Sequence, residues 1–192
     1  DGSEDSGFEP RVYTASELRQ EQEERRATEL LHPGMYWYRM DLHCYTPRST
    51  VCYREANASY LRILQKAEER GVDILAFTDH NTVAGYADLM RDREHVEQME
   101  REGRLTAEER YRLEEYRRIF SKLLVLPGFE FSATFGFHIL CIFPPTMSTR
   151  RMEYLLMSMG ITEDKMLLGS PEVGATTDVL NVYRTIAAEG GI

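Results

Sequence analysis

One six-residue run limits what this chain can fold into more than any other segment. Residues 72–77 (Val72-Asp73-Ile74-Leu75-Ala76-Phe77) are apolar at every position but one, without polar alternation. A strand of that composition is covered on both faces, as in a parallel sheet, whereas a strand with one wet face alternates. The segment before it places Leu61, Ile63, Leu64 and Ala67 at helical spacing and closes on Gly71, so it reads as a helix with one buried stripe. Asn57 is the expected cap at its start. Upstream, residues 35–42 (MYWYRMDL) read as a first strand. Strand, helix, strand in that order implies a parallel pair joined by a right-handed crossover, and the expected class is α/β.

The rest of the chain extends this pattern. Residues 84–122 read as a charged helical hairpin inserted between two strands, broken at Gly103, with Thr106 and Glu109 forming a capping box for its second helix. It is expected to be a solvated surface excursion. Leu123–Leu126 is the next strand. Residues 129–133 and 137–143 read as a further strand pair around a short turn at Thr134-Phe135-Gly136. Ser148 opens a helix with Met152, Leu155, Leu156 and Met159 on one face, residues 169–174 form a loop, and Thr177 caps a last helix ending at Gly190-Gly191. Residues 1–34 are a polar, acidic tail followed by a surface helix from Thr14, distinct from the domain at 35–192. Gly191-Ile192 reads as the start of another strand, so further domains of the same polypeptide are expected.

Composition narrows the function classes. The net charge of -9 argues against an extended nucleic-acid surface, which needs clustered Lys and Arg. Three cysteines, Cys44, Cys52 and Cys141, include no CxxC pair and do not make a disulfide framework. No apolar stretch approaches the ~18 residues of a membrane span and no basic, apolar leader is visible. A cytoplasmic protein is the expectation.

Four segments carry chemistry. His43 sits in Asp41-Leu42-His43, His80 follows Ala76-Phe77-Thr78-Asp79, Glu130 follows Pro127-Gly128-Phe129, and His138 opens His138-Ile139-Leu140. Each lies at or beside the end of an apolar run, which is where β/α folds gather ligands and catalytic groups. Singly, each His is more readily a hydrogen-bonded structural residue; together, imidazoles and a carboxylate are the donors that a water-activating cation requires. Arg48 is a candidate to hold a substrate phosphate in bidentate fashion, with a solvated surface role the equal alternative. Cys44 is expected to point away from its neighbours on an extended strand, Cys52 to be structural, and His32 and His95 to lie at the surface.

DLHCYT (Asp41–Thr46), TDHNT (Thr78–Thr82), the Glu after Pro-Gly-Phe and HIL (His138–Leu140) resemble, in order and spacing, the first motifs of the PHP (polymerase and histidinol phosphatase) family. The resemblance covers residues 35–192. The charged hairpin and the stretch FEFSATFGFHILCIFPP are similar to PHP domains at the N-terminus of larger proteins bearing an ATPase domain. The resemblance implies a distorted, seven-stranded, TIM-like barrel, of which this chain supplies the N-terminal part. It also implies metal-dependent hydrolysis of a phosphate ester, on a phosphorylated small molecule or nucleotide, with two or three divalent ions of the Zn, Mn or Fe type. Carried over by position, His43, His80, Glu130 and His138 hold metal, and the first three are catalytic. Asp41 orients, and Asp79 partners a ligand imidazole. Two departures stand out. Tyr45 occupies the second position of the family's HxH pair, where a phenolate would be costly at neutral pH. The later His motif and the final Asp-x-His are not among these residues. The alternative is therefore a catalytically weakened PHP module serving as a scaffold or regulatory domain.

Overall fold

In the computed structural model, residues 20, 37–55, 58–171, 175 and 177–192 are described. The expected tail and first helix (1–34) fall outside these residues apart from Gln20, as does the expected cap Asn57. The remaining chain is an α/β unit with a curled, mixed four-stranded sheet, compatible with part of a barrel. The order along the chain is β1 (Met40–Cys44), α1 (Tyr60–Glu69), β2 (Ile74–Phe77), α2 (Ala84–Arg101), α3 (Ala107–Phe120), β3 (Leu124–Ser132), β4 (His138–Ile142), α4 (Thr149–Ser158), α5 (Glu163–Leu168) and α6 (Val179–Ala188). The sheet follows chain order, with β1–β2 and β2–β3 parallel and β3–β4 antiparallel. The doubly covered β2 and its helical crossover are as the sequence implied. Among the described residues no helix is long and apolar enough to cross a membrane.

Three boundaries differ from expectation. β1 begins at Met40 and runs through His43 to Cys44. Helix α1 is capped by Ser59, whose side chain accepts from the Arg62 N–H. Helix α6 is capped by Asp178 rather than Thr177, because the Thr177 hydroxyl is spent on the Met159 carbonyl at 2.7 Å. A fourth difference matters for the site. Pro127-Gly128 does not interrupt the third strand: β3 is continuous across it. Residues 124–127 pair with β2 and residues 128–132 with β4, so the proline falls where the strand trades neighbours. A proline removes only one ladder donor, and a change of partner is a position that tolerates the loss. Gly128 is required there, since a Cβ would lie 2.6 Å from the Cys141 carbonyl oxygen.

The two halves of β3 serve two hydrophobic clusters. Val125 joins Leu64, Phe77, Leu89, Leu113 and Ile119 in one, and Phe129 and Phe131 join Phe143, Met152, Leu156 and Val182 in the other. The α2–α3 hairpin is thus more than a surface excursion. Its outer faces carry the charges, but Leu89, Val96, Leu113, Tyr116 and Ile119 are buried in the first cluster. The Thr106–Glu109 capping box is present, and Ser148 caps α4 as expected.

Candidate metal centre

The site is built from three backbone devices. The first is a bulge in β1. Asp41 pairs with Leu75 and Cys44 with Phe77, so one extra residue is accommodated between them. Bulges re-aim side chains. Here the Asp41 carboxylate accepts the His43 main-chain N–H at 3.2 Å. His43 and Tyr45 both reach the site while Cys44 between them packs against the first cluster. Burial pushes the Cys44 thiol up to about 12.

The second device is the loop after β2. Asn81 adopts a left-handed conformation (φ 53°), which Asn tolerates better than most residues. Its side chain clips the loop to β3, accepting from the Ser132 N–H (2.9 Å) and donating to Ser132 Oγ (3.0 Å). His80 and Glu130 then form a bridge: the Glu130 N–H donates to Asp79 O (3.0 Å) and the Asn81 N–H to Glu130 O (2.8 Å). The third device is the β3–β4 hairpin. Ser132 pairs with His138 and Glu130 with Leu140, which sets Glu130 and His138 diagonally on one face.

Everything meets on the Glu130 carboxylate. Tyr45 O–H donates to Oε2 at 2.6 Å, and His43 Nε2 lies 2.8 Å from the same oxygen. His138 Nδ1 lies 2.6 Å from Oε1. His80 Nδ1 stands 3.5 Å from Oε2 and makes no hydrogen bond. The side chains of His80 and Glu130 are 3% and 5% exposed, those of His43 and His138 47% and 38%. The rings form one wall, with centroids 4.8 Å apart for Tyr45 and His80 and 5.4 Å for His80 and His138.

The electrostatics follow from this packing. Burial alone would raise the Glu130 carboxyl, but the hydrogen bonds from Tyr45, His43 and His138 outweigh it and hold Glu130 below the ordinary range. Burial depresses His80, with the other two imidazoles adding to the effect against the pull of Glu130, so His80 is kept neutral. Tyr45 is raised by burial and by its bond to Glu130, so it stays a phenol and a donor.

Asp79 departs from expectation. It was expected against a ligand imidazole, yet its carboxylate accepts from Thr46 N–H (2.7 Å), Thr46 O–H (2.7 Å) and Ser49 O–H (2.8 Å). It reaches His80 only indirectly, because Ser49 Oγ also accepts the His80 main-chain N–H at 3.1 Å. Burial raises Asp79 above its usual value, with the Thr46 and Ser49 bonds opposing. Gly85 closes the back of this network: a Cβ there would lie 2.1 Å from Asp79 Oδ2 and 2.2 Å from Thr46 Oγ1. Arg48 has its Nε 2.5 Å from Asp88 Oδ2 of α2, which also accepts from the Tyr60 hydroxyl.

The sequence reading missed Ser49 and Cys52. Turns at residues 46–53 (Ser49 N–H to Thr46 O, Cys52 and Tyr53 N–H to Ser49 O) fold this loop back over the site. Cys52 Sγ comes to 3.4 Å from His80 Nε2. The cue lay in a polar, turn-rich stretch directly after the first motif.

The donor set suits a divalent cation of the Zn, Mn or Fe type. One ligand atom from each of His80, Glu130 and His138 lies within 4.8 Å of the others. A buried imidazole nitrogen without a partner is otherwise costly, and His80 Nδ1 is one, facing the carboxylate. His43 approaches the same carboxylate from the rim. The class so defined is an α/β protein with a histidine–glutamate cluster at the strand ends. No family model matches the chain, and neither does any curated protein.

Proposed function

We propose that this chain is a metal-dependent phosphoesterase domain of the PHP type, its four strands forming part of that family's TIM-like barrel. The observation that carries the reading is the convergence of His43, His80 and His138 on one carboxylate, Glu130, from separate strand ends. A bound divalent cation supplies Lewis-acid polarisation of a phosphoryl oxygen. His80, Glu130 and His138 would hold it, with His43 at the rim. The chain's own residues prepare the site. Tyr45 and the imidazoles keep Glu130 ionised, burial keeps His80 neutral with a lone pair to offer, and the half-exposed His43 and His138 leave an approach from solvent. The substrate class is a phosphate ester of a small molecule or nucleotide.

The purified protein should release p-nitrophenol from bis-p-nitrophenyl phosphate when Mn²⁺ or Zn²⁺ is added, and His80→Ala should abolish the stimulation. Release that is unstimulated, or equal in the variant, rejects the activity. One observation favours a second reading, a weakened module with a scaffold or regulatory role beside further domains. Tyr45 stands where the family has a second histidine and donates a hydrogen bond to Glu130. That reading expects less than one bound ion per purified chain by elemental analysis.

A further inference from the structure

Cys52 has no place in the site as the sequence or the family resemblance define it, yet its sulfur lies 3.4 Å from His80 Nε2. The His80 ring is 3% exposed, and its other nitrogen, Nδ1, faces Glu130 Oε2 at 3.5 Å without a hydrogen bond. A neutral imidazole carries one N–H and one lone pair, so the two flanks must be assigned. With the proton on Nδ1, a buried N–H would be left without a bonded acceptor, an arrangement that folded proteins rarely contain. With the proton on Nε2, that N–H has the Cys52 sulfur as acceptor and the bare lone pair is on Nδ1. The second arrangement leaves no ring N–H unmatched, and the S–H that it leaves over belongs to a partly exposed residue.

We infer that Cys52 is a positioning residue: its sulfur accepts from His80 Nε2–H and fixes the tautomer that leaves Nδ1 free toward Glu130. Resting on the proposed cation site, this gives Cys52 the part that carboxylates or carbonyls commonly play behind a metal-bound imidazole. The loop is organised for it. Ser49 holds the His80 main chain through its hydroxyl, and the Cys52 N–H is tied to the Ser49 carbonyl at 3.0 Å. Backbone and ring of His80 are therefore both held from one turn.

The test separates this assignment from the cation reading. In the metal-free parent labelled with ¹⁵N-histidine, the His80 ring should show a protonated, pyrrole-type Nε2 and a pyridine-type Nδ1. The opposite tautomer overturns the assignment without any variant having to fold. By calorimetry, Cys52→Val should bind Co²⁺ about 10–100-fold more weakly than the parent. Cys52→Ser, which keeps an acceptor, should recover part of the loss. Equal affinity in Cys52→Val also overturns the assignment. A parent that binds no Co²⁺ defeats the cation reading, and the ring signals then decide the role of Cys52 on their own.

Discussion

At the back of the candidate metal centre, Asp79 is 1% exposed and accepts three hydrogen bonds from Thr46 and Ser49, with Gly85 packed against it. At the front, His43 and His138 hold the Glu130 carboxylate from positions 47% and 38% exposed. Both regions are polar, but their energetics differ. The back is a closed network in which each Asp79 bond has a fixed donor, so any change leaves a buried group unmatched. The front surrounds a carboxylate with groups that can turn to another partner. The comparison teaches that motif residues adjacent in sequence can divide the labour: Asp79 supports the fold beneath the site, whereas His80 presents a buried ring nitrogen to Glu130 without a hydrogen bond.

The sharpest way to break this contrast is Gly85→Ala. The added Cβ must displace Asp79 or Thr46, and the expected cost is about 3 kcal/mol from overpacking and a disturbed network, read as a lower urea midpoint. An unchanged midpoint would show that the back of the site is not rigid. Next in size is His138→Ala. Zn²⁺ affinity measured by calorimetry should fall by roughly 100-fold or more, while stability should fall by only about 1–2 kcal/mol, the scale of one hydrogen bond to a charged group. A large loss of stability with affinity intact would reverse the roles assigned to front and back.

The smallest effect is a pH slope. Burial holds the folded-state value of His80 below that of the unfolded chain, near 6.5. Between those values the unfolded state binds more protons, so the stability contributed by His80 is full above about pH 6.5 and is lost as pH falls through the window. Asp79, raised by burial, works in the opposite sense at lower pH. Comparing the metal-free parent with His80→Gln cancels the Asp79 effect. Between about pH 7 and pH 5.5 the parent should lose more stability than the variant, and equal losses would remove His80 as the cause.

Much of the scaffold was legible because it rests on local rules. The run at 72–77 had to be a covered strand, and Thr106 with Glu109 had to cap a helix. His43, His80, Glu130 and His138 were legible together because each lies at or beside an apolar run, although Glu130 sits within β3 and meets His138 across the antiparallel hairpin rather than at a strand end. What escaped depended on partners distant in sequence. Pro127 reads as a break unless β3 is known to exchange β2 for β4 at that point. The bulge that delivers His43 is a property of the β1–β2 register. Thr177 and Asp178 are equally good caps until the Met159 carbonyl claims one of them. The short α5 gives no sequence signal, six residues being too few for a periodic pattern. Cys52 was judged structural because no spacing rule reports a loop that doubles back.

Among the described residues, Glu130 lies on the one strand whose side chains enter both hydrophobic clusters, through Val125 before Pro127 and Phe129 and Phe131 after it. The backbone that carries this carboxylate is therefore fixed by two separately packed clusters, one before Pro127 and one after it. Repacking far from the histidines, on α3 or on α4, would register at this oxygen pair and, in the proposed metal site, would change which ion radius fits best without touching a proposed ligand.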